Sequence, residues 1–200
     1  MKNYPKIIFD YSWIYDEIWK EVWILKKEKI KEYPSTKKIL NYIKKVEKLW
    51  KKEEKKILQE LSKITHLEWK SKIINCYVVG KRRPFSSPLT MPIYEKHPDY
   101  FIDVLIHELI HNLFFPNYKK MEKAWKYIER KYKTKSKITK IHIPLHAVHS
   151  HIYLKFYSEK RLKRDIEHIS RFPEYKKSWD IVQKEGYKNI INEFVKRIKK

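Results

Sequence analysis

Two glycines, Gly80 and Gly186, are all that the 200 residues contain. That scarcity argues against a glycine-rich phosphate loop and against the glycine turn of dinucleotide-binding folds. One cysteine, Cys76, excludes an internal disulfide and a cysteine-based zinc site. It sits in an apolar run and reads as an inert core thiol. No run of about eighteen apolar residues occurs, so no hydrophobic membrane span is expected. The start, Met1-Lys2-Asn3-Tyr4-Pro5, lacks the apolar stretch and small-residue cleavage site of a signal peptide. With a single thiol, the expected compartment is the cytoplasm.

What is abundant is lysine. Basic residues number 47 against 24 acids, a net charge of +23, and only 7 of the 47 are arginine. Such a charge favours nucleic acid or acidic surfaces. Lysines also recur beside Glu along every expected helix, as they do on solvated faces, so weak electrostatic nucleic-acid binding is the reading that charge alone supports. Much Lys and Ile with little Gly matches the composition of heat-adapted proteins. A hydrophobic fraction of 42% suffices for a core, and the length suits one domain with an appended helical part.

Along the chain, residues 5–9 read as a short strand and Tyr11 to Lys31 as a helix. Its Ile14, Ile18, Val22 and Leu25 form an apolar stripe, and Trp13, Tyr15, Trp19 and Trp23 read as core. Pro34-Ser35-Thr36 ends one helix and caps the next, which runs from Lys37 to about Ile64 with a heptad-like stripe. These helices read as an N-terminal hairpin over residues 1–70, a scaffold or a pro-segment able to cover a cleft. Lys72 to Val79 reads as a strand. Leu89 to Tyr94 reads as a second, which Pro88 and Pro92 confine to a sheet edge. Arg82 and Arg83 lie in the loop between, a basic loop able to meet a carboxylate or phosphate. Further helices are expected at Tyr118–Lys133, from Pro144 onward, at Lys160–His168, at Glu174–Lys184 and at Asn189–Lys199. The expected fold is α+β and predominantly α-helical, with a small antiparallel sheet and a second region, 71–200, carrying the chemistry.

That chemistry centres on His107-Glu108-Leu109-Ile110-His111. On a helix the two histidines lie one turn apart on one face and can reach one tetrahedral Zn²⁺. Glu108 is placed to act as general base on a water. Phe101, Ile102, Val104, Leu105, Ile106, Leu109, Ile110, Leu113 and Phe114 surround the helix with apolar side chains, the mark of a buried helix. Asp99 reads as its N-cap. A metal satisfies polar groups that would be costly to bury alone. The competing reading is a chance pattern whose histidines bond backbone or each other.

The third ligand stays open. If the next helix folds back antiparallel, Glu122 faces His111, and Glu129 fits less well. Glu122 also stands four residues before Lys126, the spacing of an ordinary surface pair. A second histidine cluster, His142, His146, His149 and His151, competes. His146, His149 and Tyr153 share a helix face, so His146 or His149 could complete the metal site, or in a site completed by Glu either could stabilise an oxyanion, His149 being the one taken as catalytic. His151 reads as exposed.

The motif resembles the zincin metallopeptidases of the HExxH type, most of all the small gluzincins, in a minigluzincin-like arrangement. The resemblance covers about His107 to Arg130. It implies a zinc-dependent peptidase acting on peptide or protein substrates, a Glu on the next helix as third ligand, and an edge strand ahead of the motif helix that pairs with substrate backbone. Leu89–Ile93 is the segment expected there. The alternative is a basic nucleic-acid-binding protein with a structural metal site.

Overall fold

The computed structural model describes residues 4–27, 33–95 and 97–198. The protein is α+β and predominantly helical. In chain order it comprises β1 (Lys6–Asp10), α1 (Trp13–Lys27), α2 (Thr36–Thr65), β2 (Ile73–Val79), β3 (Phe85–Ser86), β4 (Leu89–Pro92), α3 (Pro98–Phe114), α4 (Glu122–Lys131), α5 (Lys137–Phe156), α6 (Glu159–Ile169), α7 (Pro173–Glu185) and α8 (Tyr187–Val195). No helix among the described residues is long and apolar enough to cross a membrane. The chain divides into two compact units, residues 1–56 with 71–109, and residues 57–70 with 110–200.

The first unit holds a four-stranded sheet in the order β1-β2-β4-β3. The sheet is mixed where an antiparallel one was expected. β1 pairs parallel with β2, Phe9 opposite Cys76, and β2 pairs parallel with β4, Val78 opposite Met91. β3 alone is antiparallel, Phe85 opposite Thr90. Parallel neighbours require a long crossover, and α1 and α2 lie within the one that joins β1 to β2. β1, from the start of the chain, thus lies in the same sheet as β2 and β4.

β4 is an interior strand, which corrects the expectation of an edge at Leu89–Ile93. The two-residue β3 folds back on it through Ser87-Pro88, a cis peptide. Pro92 is tolerated because it stands at the last position of the strand and lies beyond the β3 pairing.

α1 is rotated about its axis relative to the expected apolar stripe. Asp16 is buried and accepts hydrogen bonds from Tyr33 Oη at 2.6 Å, Gly80 N at 2.9 Å and Tyr11 Oη at 3.1 Å. These bonds turn Tyr15 and Trp19 inward: Tyr15 Oη bonds Thr90 Oγ1 at 2.9 Å, and Trp19 meets Phe85 edge-on, while Trp13, expected in the core, is exposed. Ile14 (67% exposed) and Leu25 (83%) then fall on the opposite side. The Arg82 guanidinium stacks 3.9 Å over Trp19. Gly80 is required where it stands, since a Cβ would come within 2.6 Å of the Tyr33 ring. The expected helix end at residues 28–31 lies outside the described residues.

In the second unit α5 is central, packed by α6, α7 and α8. The helix begins at Lys137, capped by Ser136, whose side chain accepts from Thr139 N. Pro144 lies inside it and does not start it. α4 is shorter than expected, because Phe115–Asn117 forms a 3-10 turn and the α-helix starts only at Glu122.

Candidate metal centre

α3 starts at Pro98, whose missing N–H costs nothing in a first turn, with Asp99 inside the helix rather than capping it. Its apolar residues, from Tyr100 to Phe114, are buried. The continuous helix carries His107 and His111 four residues apart, and Glu108 beside them is buried. Burial pushes the Glu108 carboxyl up to about 8. Cys76 on β2 is fully buried, and burial, with the Glu108 carboxylate adding to it, pushes its thiol well above the usual range.

His111 stacks on Phe115, ring centroids 5.7 Å apart, and meets His142 of α5 edge-on at 5.1 Å. Among the described residues, His107, His111 and His142 form the one group of three or more metal-capable side chains, with ligand atoms all within 4.8 Å of one another. His142 Nδ1–H donates to the Ile138 carbonyl at 2.8 Å, which leaves the Nε2 lone pair for coordination. Burial pushes His111 down to about 3, with His142 contributing, and pushes His142 down to about 4. Both imidazoles are neutral at physiological pH, the state a cation needs. The donor set therefore fits a divalent transition metal, Zn²⁺ above all.

The structure does not bring the other expected ligands to this group. Glu122 pairs with Lys126 at 2.7 Å, its side chain 44% exposed, and Glu129 pairs with Lys140 at 2.6 Å. With α4 begun at Glu122, the antiparallel register expected to aim this residue at His111 does not arise; both acids line an open surface cleft with Tyr118 and Trp125. His146 faces α7. Its ring stacks on Trp179 at 4.1 Å, nearly parallel at 8°. Ser178 Oγ donates to the Tyr175 carbonyl at 2.8 Å and so accepts from His146 Nδ1–H at 2.9 Å. Burial, and then His142, His149 and His111, hold His146 well below the usual imidazole range.

His149 is buried with Nδ1 3.9 Å from Asp165 of α6 and its ring 4.6 Å from Tyr153. His151, expected to be exposed, is partly covered and bonds Glu60 at 2.7 Å, where Lys155 also binds at 2.6 Å.

His142 is the member of this group that the sequence pattern does not single out from its cluster. The signal was present, because His142, His146 and His149 follow one another at four and three residues. Starting the helix at Pro144 cut His142 off from that face. In comparisons with protein-family models, curated proteins and solved structures, no match to this chain was found.

Proposed function

We propose that the protein is a metal-dependent hydrolase, with His107, His111 and His142 holding Zn²⁺ and Glu108 acting as general base. The observation that carries this reading is the clustering of three imidazoles, those of His111 and His142 held neutral by burial, beside a buried carboxyl. A bound dication would supply Lewis acidity, polarising a substrate carbonyl and favouring the ionised forms of water and of Glu108. Glu108 then accepts the proton of the attacking water and passes it to the leaving group. His142 keeps its tautomer through the Ile138 carbonyl, which preserves one lone pair for the metal. The apolar shell of α3 limits water near Glu108 and strengthens each charge interaction there. Peptides are the proposed substrate class on the resemblance of His-Glu-Leu-Ile-His to zincin peptidases. Three protein ligands would leave a bound zinc one position for water or substrate, as catalytic zinc sites require.

The test is elemental analysis of the purified chain together with hydrolysis of a denatured protein. About one zinc per chain, with Glu108→Gln retaining zinc and losing hydrolysis, supports the reading. Zinc retained with no hydrolysis by the wild type makes the site structural. No zinc after reconstitution overturns it.

A further inference from the structure

α2 has an exposed side that nothing above explains. Its apolar face, including Ile39, Ile43, Val46, Trp50 and Ile57, is buried. On the opposite side, lysines repeat in columns seven residues apart. Lys37, Lys44 and Lys51 make one column, Lys38, Lys45 and Lys52 a second, and Lys48 and Lys55 a third, all exposed. At 100° per residue these fall within an arc of roughly 140° and extend over about 27 Å of axis. Glu47, at the border of the arc, is the one exposed acid between Thr36 and Lys55. Glu54 lies off the arc and accepts from Ile7 N and Trp50 Nε1.

Other helices treat their lysines differently. Lys126 pairs with Glu122, Lys163 with Glu159 and Lys176 with Asp180, each at a spacing of four residues. Along the α2 face only Lys38 has an acid within ion-pair reach among the described residues, Glu95 at 2.7 Å. Lys44, Lys48 and Lys52 stand four residues apart in series, as do Lys51 and Lys55, and like charges at that spacing destabilise a helix. A face kept merely solvated would gain by carrying Glu at some of these positions.

We infer that this lysine face of α2 is a docking surface for the phosphodiester backbone of duplex nucleic acid. One positive charge per about 3.4 Å of ridge equals the phosphate density of one strand along a duplex axis. The contacts are to phosphates and carry no base sequence. The aromatics of this stretch, Tyr42 and Trp50, are buried, so the face offers no base-stacking platform of the kind that single strands use. Its one large exposed apolar side chain, Leu40, is too little for insertion into a lipid surface. The face lies wholly within the first unit, and none of its lysines belongs to the proposed metal site.

The experiment is fluorescence anisotropy of the full chain with a mixed-sequence DNA duplex of about two helical turns, across a salt series. Lys44→Gln/Lys48→Gln/Lys51→Gln/Lys55→Gln is compared with Lys160→Gln/Lys163→Gln/Lys176→Gln/Lys177→Gln, which removes the same charge from α6 and α7. Circular dichroism checks that both fold. The expected result is wild-type binding that weakens steeply with salt. The α2 variant loses about tenfold or more in affinity and about 3.6 in the log–log salt slope, while the α6/α7 variant stays within about twofold. Equal losses in the two variants, or no duplex binding by the wild type, overturn the inference. So does binding of phosphatidylserine vesicles through the same four lysines with no preference for duplex. His107→Ala is expected to bind duplex like the wild type, which separates this result from the fate of the metal reading.

Discussion

α3 and α5 both carry histidines at helical spacing, yet the pattern is plain in one and hidden in the other. On α3, two histidines one turn apart with a Glu beside the first make a pair whose use is contained in the helix itself. On α5, His142, His146 and His149 share one side of the helix and have three different surroundings: the imidazole of His111, the Ser178–Trp179 wall of α7, and Asp165 of α6. A helix face lines its residues up, and the opposite wall gives each one its surroundings.

That contrast is tested first at its sharpest point. His142→Ala is expected to abolish zinc binding as completely as His107→Ala, whereas His146→Ala retains about one zinc per chain by elemental analysis. Equal zinc loss in His146→Ala would erase the distinction drawn between the two residues. The cost of His146→Ala should appear instead in stability, about 3 kcal/mol by chemical denaturation, from the lost stack on Trp179. Ser178→Ala is expected to cost about 2 kcal/mol without loss of zinc, since it strands the His146 Nδ1–H in the core.

The pH dependence of the metal-free chain follows from the same burial. His111 and His142 titrate near 6.5 when unfolded but are held to about 3 and about 4 in the fold. The unfolded chain thus binds more protons below 6.5, and stability falls as pH drops through that window. Glu108 works the other way: unfolded it ionises near 4.5, folded near 8, so stability falls as pH rises between these values. Thermal unfolding with a chelator should therefore be most resistant near pH 6.5. Glu108→Gln should remove the decline toward pH 8 and steepen the rise between pH 4.5 and 6.5, where Glu108 opposes the histidines; a wild-type alkaline limb that survives this substitution contradicts the assignment. The smallest effect belongs to Glu122→Ala, expected to leave zinc content unchanged and stability within about 0.5 kcal/mol, because its partner Lys126 is an exposed surface lysine.

The reading of the sequence reached the helical character, β1, β2, most helix positions and the α3 motif, because local period and capping determine these. It missed what depends on distant partners. The rotation of α1 is set by Asp16 bonding Tyr33 and Gly80, one of them 64 residues away. The parallel strand order and the interior place of β4 depend on crossovers that no local pattern displays. Glu122 was selected on the assumption that α4 begins at Tyr118, and the 3-10 turn at Phe115–Asn117 removes that assumption. The lysines of α2 were seen as charge but not as a face, because Glu53 and Glu54 interrupt them in sequence and not on the exposed side.

Cys76 sits in the middle strand pair, fully covered, in a chain with no other thiol. The folded molecule is accordingly silent toward thiol-modifying reagents, and any labelling must wait for β2 to be uncovered. The chain thus carries its own clock: the rate at which a reagent in excess consumes its one sulfur counts the openings of the sheet behind Glu108, with no probe to be introduced.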